Sequence, residues 1–432
     1  MVLTGRPAAL AAVAMLVVAT VAPSWTGVGV SVGVLALLVG VDALRAAPVR
    51  NVTLTRQAPP VGRVGEPLTT TLLVTNSGGR PLRAVVRDAW PPSAAADGSP
   101  HQVQLAPGRS VRLTTTLRPT RRGRRHAGPV TVRSLGPWRL AGRQASRAVE
   151  CSVLALAPFT SRRHLPARLA RLRELDGRAA ARTRGEGTEF DSLRDYVFGD
   201  DVRAIDWRAT ARRGSVVVRT WRPERDRRLL IALDTGRTSA GRVGELPRLD
   251  AALDAALLLT ALAVAAGDRV DLLAYDRVVR ASVTGRTGPP TLTAVVTATA
   301  DLQPALRETD YVGLLAAAAR TGRHDLLVLL TGLDAAPVTR SLLPALAGQT
   351  ARAGTHVLLG AVADPLVERM ATGRGTLEAV YDAAAAERER AERHRTAARL
   401  RAVGVQVVDA VPTRLAPDLA DAYLALKSAG RL

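Results

Sequence analysis

Cysteine is almost missing from this chain of 432 residues: Cys151 is the only one. That excludes a disulfide framework and any cysteine-rich metal site. Cys151 lies in the apolar run ECSVLALAP, which reads as a buried strand thiol and not as a nucleophile. Histidine is sparse as well, with six residues and no ligand spacing such as HExxH, which argues against a zinc enzyme. There is no GxxxxGK phosphate loop. Lys427 is the single lysine, so arginine carries nearly all the basic charge. Aromatic residues make up only 3% of the chain, which leaves few platforms for stacking bases.

The charge that is present is unevenly placed. The net charge is +22, and eleven arginines fall between Arg109 and Arg147 with no acidic residue among them. Such a strip suits anionic lipid headgroups or an acidic partner. Trp138 is its only aromatic residue, so nucleic acid ranks behind both.

Pro7 to Val41 is a run of 35 residues without a charge. Pro23, Ser24 and Gly27 interrupt it, leaving apolar legs at about Ala8–Ala22 and Gly27–Leu44. Each leg is near the lower limit of roughly 17 residues for crossing a bilayer, which predicts a tight transmembrane hairpin with lipid along residues 8–44. Arg6 precedes the run, and Arg45 and Arg50 follow it. By the positive-inside rule, both ends and both soluble regions then face the cytoplasm from the cell membrane. A signal peptide ending near Ala22 is the competing reading. The cysteine-poor, arginine-rich remainder favours the hairpin. Asp42, near the inner end of the second leg, is expected at the interface.

From Asn51 to about Pro158, short alternating runs such as NVTLTR, PLTTTLLVTN, LRAVVRD, SVRLTTTL and PVTVRS are separated by turn clusters. Seven strands at this spacing predict an antiparallel β-sandwich. A basic, helix-prone stretch follows from Ser161 to Arg184. After about residue 229 the pattern changes. LLIALD, RVDLLAYD, DLLVLLTG, HVLLGAVAD and GVQVVDA are nearly continuous apolar strands that alternate with helices. That predicts an α/β doubly wound domain on a parallel sheet. The ERERAERHRTAARLR part of its long helix reads as a solvated face with i,i+4 charge pairs.

Asp234 ends LLIALD, where ligands of doubly wound sheets gather. The von Willebrand factor type A fold builds a metal-dependent adhesion site from an Asp-x-Ser-x-Ser loop, a later Thr and a later Asp. The chain resembles it in part. Asp234 and Thr238 fit, and Thr309 is the candidate for the later threonine. Gly236 replaces the middle serine, Gly332 stands where the second acid belongs, and Asp334 lies two residues on. One reading is a Mg²⁺ site. The other, favoured by the displaced ligands, is an Asp that caps a loop or helix.

Between the two regions lies GTEFDSLRDYVFGDDVRAIDWRATARR, Gly187 to Arg213, with six carboxylates, five arginines and four aromatics. Paired carboxylates do acid–base work when one pKa is raised. Here every acid has arginines a few residues away, which lowers the pKa instead. No Ser–His or Cys–His pair accompanies them. Phe190, Leu193 and Val197 follow helical spacing, and Asp200 or Asp201 could cap a turn ending at Ile205–Trp207. The expectation is a self-paired element rather than a catalytic cluster.

The pattern G-x-E-F-x-x-L-R-x-Y-x-x-G-D-D-x-R-x-I-D-W-x-x-x-A-R resembles the signature of the bacterial domain of unknown function 58 family. It places Glu189, Phe190, Arg194, Tyr196, Gly199, Asp200, Asp201, Arg203, Asp206, Trp207 and Arg212 in a partner-binding motif. The resemblance extends through RRGRRHAGPVTV and GPWRLAGR to the ending YLALKSAGRL. Family members commonly have a DPFGLF-like stretch where this chain has GPWRL, which removes an acid and adds an arginine. The resemblance implies a type A-like domain on a membrane anchor, working with MoxR-type AAA+ ATPases, often beside transglutaminase-like membrane proteins. It implies no enzymatic activity.

The expected organisation is a transmembrane hairpin at 1–48 and a β-sandwich at 51–158. A linker with the signature follows at 159–228, and a type A-like α/β domain at 229–432. The expected role is a membrane-anchored, non-enzymatic adaptor. Two alternatives accompany it: a metal-dependent hydrolase or nuclease using Asp200, Asp201 and Asp206, and anionic lipid or nucleic-acid binding by the basic sandwich.

Overall fold

A computed structural model describes residues 1–21, 23–182, 189–222, 227–350 and 355–432; side chains at 176–182, 189–191, 220–222 and 348–350 lie outside that description. The chain divides into two compact units, Met1–Pro158 and Phe159–Leu432.

The first unit opens with a two-residue strand β1 (Val2–Leu3) and two apolar helices, α1 (Arg6–Val21) and α2 (Trp25–Arg45). Ser24 caps α2 by accepting from the amide of Gly27. Together with the turn after it, α2 is long and apolar enough to cross a membrane, whereas α1 is shorter. The strands that follow are β2 (Val52–Gln57), β3 (Val61–Arg63), β4 (Leu68–Asn76), β5 (Leu82–Asp88), β6 (Ala96–Asp97) and β7 (His101–Leu105). They continue as β8 (Ser110–Leu117), β9 (Gly123–His126), β10 (Val130–Leu135), β11 (Ala141–Arg147) and β12 (Ser152–Leu156). They form sheets in the orders β1-β11-β10-β5-β7, β2-β4-β8-β6 and β3-β12-β9, antiparallel except for β3 with β12. Period-two alternation puts Leu72 and Val74 of β4, Leu82, Ala84 and Val86 of β5, and Val130 and Val132 of β10 into one core. The short β9, GRRH, carries no apolar alternation; it is a strand because it pairs with β12.

The second unit begins with the basic helix α3 (Leu165–Arg182), as expected of that stretch. The signature follows as β13 (Glu189–Asp195), a short 3₁₀ turn, α4 (Trp207–Arg213) and β14 (Val217–Arg222). Next come β15 (Arg228–Asp234), the short helix α5 (Arg237–Ala240), a two-residue hairpin β16–β17 (Arg242–Val243, Leu246–Pro247) and α6 (Arg248–Ala265). Beyond these lie β18 (Arg269–Tyr275), β19 (Val279–Val283), α7 (Pro290–Thr299), α8 (Tyr311–Arg320), β20 (Leu326–Leu330), α9 (Ala335–Pro337) and α10 (Leu343–Thr350). The unit closes with β21 (His356–Val362), α11 (Pro365–Ala371), α12 (Leu377–Ala402), β22 (Gln406–Ala410) and α13 (Pro412–Ser428).

Six strands form one sheet in the order β19-β18-β15-β20-β21-β22, parallel except for the edge strand β19. Leu230, Ala232, Leu327, Leu329, Val357 and Leu359 share a core with residues of α8, α10 and α12. The alternate residues Leu229, Ile231 and Leu233 are equally buried and so face the other side, where α6 and α13 contact the sheet. The stretch of α12 expected to be a solvated face with i,i+4 pairs buries Arg393, Thr396, Ala397 and Leu400, and within it Arg390 pairs with Glu387 three residues away. Arg393 is buried and its guanidinium pairs with Asp409 of β22 and donates to the carbonyl of Val362.

Candidate functional site

The signature is a strand hairpin with a turn-and-helix insertion. β13 and β14 pair antiparallel from Glu189–Arg222 to Asp195–Val217. The helical spacing of Phe190, Leu193 and Val197 is therefore overridden by a partner strand some twenty-five residues away. Gly187 and Thr188 lie outside the described residues, as do the side chains of Glu189 and Phe190.

The acids of the insertion are engaged locally. Asp200 accepts from Arg194 at 2.6 Å and from the amide of Val197 at 2.9 Å. Asp201 caps the 3₁₀ turn Val202–Ala204 through the amide of Arg203 at 2.9 Å. Asp206 is the N-cap of α4, accepting from the amides of Arg208 (3.0 Å) and Ala209 (2.9 Å), and its other oxygen accepts from Arg219 at 2.8 Å. Gly199 and Gly214 take φ of +104° and +76°, which lets the chain turn back at each end of the insertion. With its acids engaged, the insertion shows solvent a different face. Phe198 is fully exposed, Trp207 is 68% exposed, and Val197 and Val202 are exposed beside them. Arg203, Arg208, Arg212 and Arg213 are exposed too.

Those bonds fix the protonation behaviour. The Arg194 bond, then the Val197 amide, hold Asp200 below its ordinary pKa. For Asp206 the Ala209 amide acts first and Arg219 second, in the same direction. A carboxylate with a lowered folded pKa contributes stability that is complete above its unfolded value of about 3.9 and is lost as pH falls through the folded value. The amide NMR signals of Val197, Arg208 and Ala209 should thus stay constant down to about pH 4 and move only below it. Midpoints at or above the ordinary carboxylate value of about 3.9 would show that these bonds are absent in solution.

A second constellation lies where the strand order reverses, between β15 and β20, the place where open sheets of this kind bind ligands. Asp234, fully buried, accepts from the amide of Gly236 (2.7 Å) and from the hydroxyls of Thr238 (3.3 Å), Tyr311 (3.1 Å), Thr331 (2.5 Å) and Thr309. The loop before α8 delivers Thr309: Ala305 donates to Thr235 and Arg237 to Arg307, both at 2.7 Å. Burial, with Asp234 alongside, pushes the Tyr311 phenol far above its ordinary pKa, so it stays a donor. The structure thus brings Asp234, Thr238 and Thr309 together. Tyr311 and Thr331 complete the group, and no spacing rule singled them out.

A Mg²⁺ ion needs several oxygens with free lone pairs in octahedral array. The residues present do not fit one. Five donors already cover the roughly four lone-pair directions of a single carboxylate. A Cβ at Gly236 would collide with Thr309 Oγ1 and stand 2.8 Å from the carbonyl of Arg307, so a serine has no room there. A Cβ at Gly332 would lie 2.5 Å from Thr238 Cγ2, which closes the place of the second acid. Asp334 turns to Arg248 at 3.5 Å. Among the described residues no cluster of three or more His, Cys, Asp or Glu side chains could hold a metal ion.

The family model described as "Protein of unknown function DUF58" matches residues 192–406, from within β13 to the start of β22, and supports assignment of the chain to that family. No curated protein matches the chain. Solved structures with local likeness include a FixG-related protein from Vibrio parahaemolyticus, 11% identical, covering 24% of this chain and 96% of that one with a TM-score of 0.18. Another is the CARDB domain of the PF1109 protein from Pyrococcus furiosus, 19% identical, covering 24% and 87% with a TM-score of 0.17. A GH20 exo-β-N-acetylglucosaminidase from Vibrio harveyi is 10% identical and covers 83% and 75% with a TM-score of 0.22. At these scores none of the three defines a shared fold.

Proposed function

We propose that this chain is a membrane-anchored, non-enzymatic adaptor that works with a MoxR-type AAA+ ATPase, with the signature hairpin as its docking element. One observation carries the reading: the insertion engages Asp200, Asp201 and Asp206 with its own amides and arginines and leaves Phe198, Trp207, Val197 and Val202 exposed. Large exposed apolar side chains gathered in one short insertion, together with exposed arginines, suit a surface that a partner covers. A hydrolase or nuclease would need Asp200, Asp201 and Asp206 free to converge on a metal, and each is engaged with an arginine or a helix end. The choice of an ATPase as partner rests on the family resemblance alone.

In this reading the Phe159–Leu432 unit is a doubly wound, von Willebrand factor type A-like domain. Its support is the strand order with a single antiparallel edge and helices against both faces. The anchor is a two-helix hairpin of α1 and α2, whose exposed residues include Leu10, Val13, Leu16, Val30, Val34 and Leu37. Arg6, Arg45 and Arg50 orient it with the soluble units in the cytoplasm.

Co-purification from native membranes, with and without ATP and Mg²⁺, tests the role. The double variant Phe198→Ala/Trp207→Ala should retain at least about tenfold less ATPase, since aromatic anchors at interface centres each contribute on the order of 2 kcal/mol. Its melting temperature should match the parent, because both side chains are exposed. Absence of any AAA+ partner in every condition would sink the adaptor reading. Undiminished capture by the double variant would move the docking surface elsewhere.

A further inference from the structure

Asp42 lies in the last turn of α2. It is fully buried, and its carboxylate accepts from the amides of Trp138 (2.8 Å), Leu140 (2.7 Å) and Ala141 (3.0 Å). The last turn of α2 is thereby clamped under the turn Gly136–Leu140, and a Cβ at Gly136 would strike Asp42, so only glycine lets the two approach. Around this clamp the sandwich gathers arginines. Arg6 donates to the carbonyl of Trp138 at 3.1 Å, Arg83 to that of Pro137 at 3.3 Å, Arg80 to that of Leu44 at 2.7 Å and Arg143 to that of Ala43 at 3.2 Å. Arg45 stands over the Trp138 ring at 5.6 Å, and Arg139 is exposed beside it. Asp42 is the only carboxylate at this end of the sandwich, because Glu66, Asp88, Asp97 and Glu150 lie toward the opposite strand ends.

The geometry points to a headgroup collar: the Trp138 turn, with Arg6, Arg45, Arg80, Arg83 and Arg139, binds the phosphates of anionic phospholipids in the bilayer that holds α1 and α2. The inference rests on the membrane-anchor reading above. Three features carry it. Arg6, Arg80 and Arg83 each bond a carbonyl through one nitrogen, which leaves most of a guanidinium's five donors for phosphate oxygens. From Trp25 to Asp42 a helix rises about 26 Å, close to the thickness of a hydrocarbon core of about 30 Å. Trp25, 90% exposed, then marks one interface and Trp138 the other, as amphipathic rings do at both headgroup levels. The arginine that this chain has in GPWRL, Arg139, belongs to the collar.

The full chain in neutral micelles, probed with phosphatidylglycerol and phosphatidylcholine, tests the collar by native mass spectrometry of retained lipid. The parent should retain phosphatidylglycerol several-fold over phosphatidylcholine. The variant Arg45→Gln/Arg139→Gln should lose that preference with an unchanged melting temperature in lipid-free micelles, since neither side chain donates to the backbone. Arg118→Gln/Arg121→Gln, at the far end of β8, should keep it. A parent without headgroup preference, or equal loss in both variants, overturns the proposal. Alkaline carbonate washing of membranes separates the two readings. A chain that washes off refutes anchor and collar together, and a chain that stays without headgroup preference refutes the collar alone.

Discussion

Replacing Asp234 by alanine should destabilise the Phe159–Leu432 unit by about 3–5 kcal/mol, and Mg²⁺ should change neither the variant nor the parent. The carboxylate is the acceptor for Gly236, Thr238, Thr309, Tyr311 and Thr331, all at a fully buried point. Each buried donor stranded by its removal costs about 1–3 kcal/mol, although Tyr311 and Thr331, 2.9 Å apart, can satisfy one another in part. A metal site would behave in the opposite sense. Mg²⁺ would raise the parent's melting temperature by mass action, and losing an acid would cost little without the ion. Urea unfolding of both forms, with Mg²⁺ and with chelator, separates these outcomes. A variant as stable as the parent, or a parent stabilised by Mg²⁺, would overturn the hydroxyl-cage account.

That cage shows where the sequence could be read and where it could not. The missing serine at Gly236 and the missing acid at Gly332 were visible as departures from a motif. What occupies their space was not. Tyr311 begins a helix and Thr331 follows a strand, and only the sheet order β15-β20 brings them to Asp234. The apolar strands of the second unit were legible because burial on two faces leaves a continuous Val/Leu run. The signature strand β13 was not, because its partner β14 is remote and its own apolar spacing matches a helix. The capping role of Asp201 was legible, since an acid before a short polar turn is a local pattern. The partners of Asp42 were hidden for the same reason as Tyr311. Those three donors lie nearly a hundred residues away, and no window along the chain contains them.

The same non-local logic makes Asp88→Ala the other costly substitution, at about 3–5 kcal/mol in the Met1–Pro158 unit. Asp88 ends β5 and Arg56 lies on β2, and the alternation carries both onto the inward faces of Leu82, Ala84 and Val86 and of Val52 and Leu54, while the pairing between them is visible only in the fold. In the fold the Arg56 guanidinium is completely buried. It donates to Asp88 from Nε at 3.0 Å and from Nη2 at 2.5 Å, and to the carbonyls of Gly128 (3.0 Å) and Val149. Trp90 adds an indole bond to the other Asp88 oxygen at 3.2 Å and places its ring under the guanidinium at 5.4 Å. Alanine at 88 leaves a full positive charge among carbonyls and an aromatic face, with its counter-anion removed. Removing both charges as Arg56→Met/Asp88→Leu should restore most of the loss, because well-packed apolar groups substitute for a buried pair at little cost. Thermal unfolding of the parent and the two variants decides the matter. An Asp88→Ala loss under about 1 kcal/mol, or a double variant as unstable as the single one, would show that the pair is not buried as described.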